Sequence, residues 1–187
     1  MPLWLIFHPP GSFEDASTKQ ALTKDITKIY TGIGLPPFYV VANVIKLSTE
    51  DVRVGGEMKT KPFIRIVAEH IAVHIQNEDD AYKRTANLFK KALKPHIADK
   101  GYDWEFHIDE TERRLWRVNG MIPPPLGSDV EQLWTNENKP SAYYGMASTE
   151  YSSCSRISHY KSLVELIMRL FLILPAQSYI LSYPRTC

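Results

Sequence analysis

The first eleven residues, Met1-Pro-Leu-Trp-Leu-Ile-Phe-His-Pro-Pro-Gly11, place an apolar run directly before a turn. A short run of large apolar residues that ends in proline and glycine predicts a buried strand at the very start of the chain. No basic segment precedes this run, and it is shorter than the apolar core of about 7–15 residues that a signal peptide needs. We therefore expect it to belong to the folded protein rather than to a cleaved leader.

Residues 15–31, which follow the turn, carry apolar side chains at helical spacing. These side chains recur at i, i+4, i+7 and i+8 and belong to Leu22, Ile26, Ile29 and Tyr30. Gly32 and Gly34, then Pro36-Pro37, are typical of a helix end. The β-branched and aromatic stretch 38–47 predicts a second strand. The first fifty residues therefore predict one β-α-β unit.

The same order of patterns recurs downstream, after a polar stretch over 48–61 that contains Gly55-Gly56 and predicts a hairpin or loop. Residues 63–68 and 104–108 predict two further strands, and residues 78–100 predict an amphipathic helix that Pro95 can kink or end. On this helix we expect the following apolar residues to face inward: Tyr82, Leu88, Phe89, Ala92 and Leu93. Two consecutive β-α-β units predict an α/β (α+β) sandwich, with helices on one face of a mixed sheet.

The last third of the chain has a different composition. Residues 111–126 predict a turn and a proline-rich loop, and residues 127–144 predict a polar arm that wraps the domain. The run 163–174 is strongly apolar but shorter than the roughly 20 residues of a membrane-spanning helix, and it contains charges. We expect a domain over 1–149 and an apolar C-terminal extension over 150–187. A buried or interface helix, a membrane-surface segment and an unrelated appendage are the alternatives for this extension.

Composition excludes several functional classes. The 22 basic and 21 acidic residues give a formal net charge of +1, which argues against a broad nucleic-acid-binding surface. An apolar content of 44% and a charged content of 23% are sufficient for a packed core. The two cysteines, Cys154 and Cys187, make neither a disulfide framework nor a cysteine-based zinc site, which is typical of a reducing compartment. We therefore expect a cytoplasmic protein with no nucleic-acid or membrane partner.

Pro2 is the clearest candidate for chemistry. Removal of Met1, which a small second residue permits, would leave Pro2 with a free secondary amine. An ordinary α-amino group has a pKa of about 7.7–8.0, and burial or nearby cations lower that value. A group that titrates near neutral pH is an effective general acid or base, and the same amine could attack a carbonyl. Chains that begin with Met-Pro are common, so an inert terminus is the alternative.

Several features together resemble the tautomerase superfamily and, within it, the cis-3-chloroacrylic acid dehalogenase-like group. They are Pro2, the helical segment 21–30, Val54-Gly55-Gly56 and the segment from Trp104 to Glu110. The resemblance runs from Pro2 to about Trp134. It implies a tautomerase-like β-α-β fold, a homotrimer and a small-molecule substrate, with no cofactor. It also implies a site that combines the terminal proline with carboxylate-binding arginines, a first-helix histidine, a tyrosine and a water-orienting glutamate.

Carried over to this chain, the resemblance assigns the proline to Pro2 and the glutamate to Glu110, with Asp109 one residue away as the alternative. Tyr30 occupies the first-helix position of the histidine, although it also falls on the apolar stripe, where a core role competes. Tyr102 lies near the family's tyrosine. All of these residues are candidates for catalysis.

The arginines are the main departure from the family pattern. Where the dehalogenase group has Arg-x-x-Arg after the third long strand, this chain reads His70-Ile-Ala-Val73. Neither histidine nor valine supplies the bidentate geometry of a guanidinium. Arg65 is a candidate substitute if its side chain faces the cleft, and His70 is a second candidate for substrate binding. His70 and His74 would suit a metal only on a helix, and no third ligand is evident, so no metal is expected.

These observations favour a tautomerase-type isomerase in which Pro2 moves a proton and Tyr30, Tyr102 or Arg65 stabilises an enolate oxygen. In a second hypothesis Glu110 or Asp109 activates water and protonated Pro2 supplies a proton, giving a hydratase or dehalogenase. A third hypothesis is a non-catalytic trimeric binding protein. The missing arginine pair and the phenols favour the first hypothesis over the second.

Overall fold

The computed structural model describes residues 2–143 and contains a mixed sheet with helices, as the sequence predicts. Its strands are β1 (Leu3–His8), β2 (Val41–Lys46), β3 (Arg53–Val54), β4 (Glu57–Met58), β5 (Phe63–His70) and β6 (Asp103–Glu110). The main sheet has the order β2-β1-β5-β6. β1 and β2 are parallel, as are β5 and β6, whereas β1 and β5 are antiparallel. Two β-α-β units therefore join through the antiparallel β1–β5 pair.

Helices α1 (Ala16–Thr31) and α2 (Asp79–Leu93) connect the parallel strands, and a third helix, α3 (Asp129–Glu137), lies near the end of the described chain. Asp15 caps α1, because its Oδ1 accepts a hydrogen bond of 2.8 Å from the Thr18 amide. The predicted apolar stripe of α1 is confirmed: its buried residues are Leu22, Ile26, Ile29 and Tyr30.

The predicted hairpin is also confirmed. β3 and β4 pair antiparallel on either side of Gly55-Gly56. These two glycines have φ values of +65° and +85°, the backbone that a two-residue type I′ turn requires and that residues with a side chain rarely adopt.

One expectation for α2 is confirmed and another was wrong. The helix spans Asp79–Leu93 and ends before Pro95, as expected from that proline, and two 3-10 turns (Lys94–His96 and Ala98–Lys100) follow. Tyr82 and Leu88, expected to face inward, are 43% and 45% exposed. The buried side chains of this helix belong instead to Ala81, Phe89 and Leu93, which are spaced at multiples of four residues and lie on one face. Tyr82 and Leu88 are next to these residues in sequence and therefore face solvent.

The predicted second strand begins later than expected, at Val41 rather than at residue 38. Pro37 has a fixed φ and no amide hydrogen, and Pro37–Tyr39 form a 3-10 turn. The aromatic rings that precede β2 are used for packing, since Tyr39 is fully buried against Trp116 and Trp134.

The segment expected to be a polar arm contains α3. Ser128 caps this helix by accepting a hydrogen bond from the Glu131 amide. Trp134 is fully buried, and its indole donates a hydrogen bond of 2.9 Å to the Ser141 carbonyl. The predicted extension over 150–187 lies outside the described residues.

The sheet has one covered face and one open face. Side chains on the helix-covered face are buried and include Trp4, Ile6, Ile64, Ile66 and Ala68. The open face carries partly buried Leu3, Leu5 and Val67 in the centre and exposed polar residues along β6. None of the helices among residues 2–143 has both the length and the apolar character needed to cross a membrane.

Candidate active site

Three of the sequence-predicted residues lie at one end of the sheet. Leu3 pairs with Glu69 across the antiparallel β1–β5 pair, so one further step sets Pro2 opposite His70. His70 in turn pairs with Glu110 across the parallel β5–β6 pair. Pro2 is buried, and its carbonyl accepts a hydrogen bond of 3.0 Å from the Val41 amide. The fold therefore fixes the start of β1 between the start of β2 and the end of β5.

Strand alternation separates the two candidate carboxylates. Glu110, two residues after half-buried Ile108, shares the helix-covered face with His70. Its Oε1 accepts a hydrogen bond of 2.7 Å from the Ile75 amide and lies 3.4 Å from Nδ1 of His74. Asp109 lies on the open face, 3.4 Å from His107. Of the pair, Glu110 is the carboxylate on the side of Pro2.

Tyr30 is part of the core and also reaches this end of the sheet. Its side chain is buried, and its hydroxyl accepts a hydrogen bond of 3.1 Å from the Trp4 indole. Its ring packs nearly perpendicular to the ring of His70, with the two ring centroids 5.6 Å apart. Burial raises the pKa of Tyr30 well above the usual tyrosine value, so the phenol stays neutral and its O–H remains a donor.

His70 is 5% exposed and packs against the rings of Tyr30 and Phe89. Neither of its ring nitrogens has a hydrogen-bond partner among residues 2–143. Burial lowers the pKa of His70, against the opposing effect of the Glu110 charge, so the ring is neutral at pH 7. A neutral imidazole offers one N–H donor and one acceptor, and leaving such a buried group unpaired costs about 1–3 kcal/mol. The ring is therefore free to bind a ligand.

The chain does not bring Arg65 or Tyr102 to Pro2. Arg65 pairs with Phe7, five residues along β1 from Pro2, which is roughly 16 Å at about 3.3 Å per residue. It lies on the open face in an ion pair with Glu105, beside a separate cavity of about 500 Å³. Tyr102 precedes β6 at the far end of the sheet, where its hydroxyl donates to the Gly11 carbonyl. Within this chain, therefore, the side chain of Arg65 does not face the end of the sheet where Pro2 lies.

A cavity of about 300 Å³, here called the His70 pocket, opens between α1, α2 and residues 71–76. Its polar lining side chains are Tyr30, His70, His74, Gln76, Arg84 and Thr85. Arg84 was missed by the sequence reasoning, because α2 carries several cations and no spacing marks this one. Among residues 2–143, no group of three or more His, Cys, Asp or Glu side chains could hold a metal ion.

The segment that closes the pocket is held in place from behind. Besides the bond from Ile75 to Glu110, the Thr111 amide donates to the His70 carbonyl at 2.9 Å. The guanidinium of Arg113 donates to the carbonyls of Ala72 and Pro124. Residues 71–76 are thus anchored to β6 and to the proline-rich loop, which gives the pocket a defined wall.

Comparison with known proteins identifies the family. A family model described as a putative oxalocrotonate tautomerase enzyme matches residues 1–139. The chain belongs to this tautomerase family. No curated protein matches the chain.

Solved structures share the fold of this chain. Native RhCC from Rhodococcus jostii RHA1 is 40% identical, with 76% of this chain and 100% of that chain covered and a TM-score of 0.72. A probable enzyme from the thermophilic fungus Aspergillus fumigatus is 34% identical, with coverages of 76% and 98% and a TM-score of 0.70. A fused 4-OT described as an asymmetric trimer is 18% identical, with coverages of 65% and 95% and a TM-score of 0.50, and shows the fold alone.

The buried histidines of this chain predict acid sensitivity. Burial lowers the pKa of both His8 and His70 from 6.5, so below pH 6.5 the unfolded chain binds more protons than the folded chain. The free energy of unfolding should therefore be highest above pH 6.5 and fall as the pH drops below it. The decrease should be up to about 1.4 kcal/mol per pH unit for each histidine. Urea unfolding between pH 5 and 7.5 measures this slope. In His70→Gln the slope should decrease, and an unchanged slope would refute the contribution of His70.

Proposed function

We propose that this chain is a tautomerase-type isomerase in which Pro2 is the general acid and base for a small carbonyl, enol or unsaturated acid substrate. The observation that carries the proposal is the position of Pro2 in a chain of the tautomerase family. Pro2 lies buried at the start of β1, opposite His70 and at the same sheet end as Glu110. Its nitrogen becomes a secondary amine once Met1 is removed.

In the proposed reaction the neutral Pro2 amine takes a proton from the carbon next to a carbonyl. The C–H electron pair forms the new C=C bond, and the carbonyl oxygen becomes an enolate oxygen. The His70 N–H is available to donate to that oxygen, and such preorganised donors are a major source of transition-state stabilisation. Protonated Pro2 then returns the proton to another carbon of the same substrate. A general acid and base whose pKa lies near the working pH would serve both half-steps.

A hydratase or dehalogenase of the cis-3-chloroacrylic acid type is the second candidate. The placement of Glu110 on the Pro2 side favours it, because a carboxylate there could activate water. The positions that would carry Arg-x-x-Arg hold His70 and Val73, however, and Glu110 already accepts the Ile75 amide. These two features favour isomerisation over hydration or dehalogenation.

Assembly and location belong to the same proposal. The apolar side chains of Leu5, Phe7 and Val67 lie partly exposed on the open face of the sheet. Partly exposed apolar side chains on one face suit a protein–protein contact, and we therefore propose a homotrimer. The reducing-compartment composition supports a cytoplasmic location, and 1–149 is the proposed extent of the domain. A trimeric binding protein without catalysis is the outcome if Pro2 proves unreactive.

Intact-protein mass with and without 3-bromopropiolate tests the reactive amine. The expected result is a chain without Met1 that gains one adduct, localised to Pro2 by peptide mapping. Pro2→Ala is the control, because it keeps a terminal amine but removes the ring. Retained Met1, or labelling that does not depend on Pro2, would overturn the proline mechanism and favour the binding protein.

A further inference from the structure

Glu131 is a buried carboxylate that the proposed reaction does not use. It lies in the first turn of α3 and is 2% exposed. Its Oε2 accepts a hydrogen bond of 2.7 Å from the Gly127 amide, whereas its Oε1 has no hydrogen-bond partner among residues 2–143. A buried carboxylate is costly unless a cation balances it, so this side chain points to a role beyond packing.

Helix capping does not explain the burial of Glu131. Ser128 and Glu131 have the spacing of a capping box, in which the glutamate would accept a hydrogen bond from the amide of the N-cap residue. The Ser128 amide donates instead to the Pro125 carbonyl at 3.1 Å. Oε1 of Glu131 lies 3.9 Å from Nη2 of Arg113. One carboxylate oxygen is thus left for the guanidinium rather than used at the helix end.

Arg113 connects Glu131 to the Pro2 end of the sheet. Its guanidinium donates to the carbonyls of Ala72 and Pro124 and lies 5.4 Å from the centre of the Trp116 ring. These partners are uncharged, so they leave the positive charge of a side chain that is only 25% exposed without a counter-ion. Glu131 supplies that negative charge, and Ala72 comes two residues after His70.

We propose that Glu131 is a positioning residue, which through Arg113 holds residues 71–76 and, with them, His70 at the Pro2 end of the sheet. Two hydrogen bonds report on this segment. The Thr111 amide donates to the His70 carbonyl before it, and the Ile75 amide donates to Glu110 near its end. The inference rests on the proposed function for its effect on catalysis, but not for its effect on these two amides.

Amide hydrogen exchange of the full chain, followed by NMR, tests the positioning without relying on turnover. Glu131→Gln keeps the shape of the side chain and removes its charge, and it should speed the exchange of the Ile75 and Thr111 amides by about tenfold or more. The Ile26 amide, in the middle of α1, corrects for any loss of global stability. Asp129→Asn is the matched control, since it removes one exposed negative charge from the same helical turn. Exchange in this control should stay within about twofold of the wild type.

Kinetics test the route through Arg113, with kcat expressed per Pro2 that reacts with 3-bromopropiolate. For ketonisation of a 2-oxo acid enol, Glu131→Gln should lower kcat about 10- to 100-fold and leave KM within about twofold, because a misplaced His70 donor acts in the transition state. In an Arg113→Gln background, Glu131→Gln should lower kcat no further, since both residues act through one contact.

Two results would overturn the inference. One is exchange at Ile75 and Thr111 that rises no more than exchange at Ile26, and the other is an equal loss of kcat from Glu131→Gln with and without Arg113. Faster exchange confined to Ile75 and Thr111, in a chain whose Pro2 does not react with 3-bromopropiolate, would leave the positioning by Glu131 standing and refute the proposed function.

Discussion

Placing residues ahead of Pro2 is expected to reduce kcat/KM for an enol acid substrate by about 10²–10⁴, the usual contribution of a positioned acid–base group. An added residue converts the Pro2 nitrogen from an amine into an amide, which cannot take up a proton near neutral pH. The measurement compares enzyme made with a short uncleaved N-terminal extension against enzyme that begins at Pro2. Activity is followed as the rate of ketonisation of a 2-oxo acid enol.

The matched control carries the same extension at the C-terminus, where it leaves the Pro2 amine intact. Circular dichroism and the urea midpoint check that the N-terminal extension leaves the fold unchanged, because Pro2 is buried and anchored to Val41. If the N-terminally extended chain is folded and retains wild-type kcat/KM, Pro2 is not the acid–base group. Glu110 would then become the first candidate.

Patterns among neighbouring residues were sufficient to predict most of the fold from the sequence. The apolar stripe of α1 and the glycine pair at the β3–β4 turn depend only on neighbours in sequence, and the structure confirms both. The β5–α2–β6 unit repeats the first unit, so the mixed sheet could also be predicted. The errors fall where long-range packing competes with local propensity, as at Tyr39, whose ring packs into the core before β2 begins.

The candidate site was harder to predict because it depends on register between distant strands. The approach of Pro2 to His70 requires the antiparallel β1–β5 pairing, which no local pattern specifies. The choice of Glu110 over Asp109 could have been made from sequence, since apolar Trp104, Phe106 and Ile108 alternate along β6 and set Glu110 on their face. Arg84 had no such signal, because it lines a cavity formed by three separate segments.

Replacing Trp134 by alanine is expected to lower the free energy of unfolding by about 3–5 kcal/mol, the range for a fully buried tryptophan. Its ring contacts Phe38, Tyr39 and Tyr143 at centroid distances of 6.0, 6.3 and 6.2 Å. The substitution therefore opens a cavity beneath α3 and also leaves the Ser141 carbonyl without its indole donor. Urea unfolding of the wild type and the variant, followed by circular dichroism, measures the difference.

The adjacent residue provides the control. Leu133 lies on the same helix but is 46% exposed, so Leu133→Ala should lower the free energy of unfolding by less than about 1 kcal/mol. Tyr39 connects this cluster to the Pro2 end of the sheet, because β2 follows it and Val41 binds the Pro2 carbonyl. Trp134→Ala should consequently lower the rate of Pro2 labelling as well. A loss below about 1 kcal/mol in both variants would show that α3 is not part of the cooperative core.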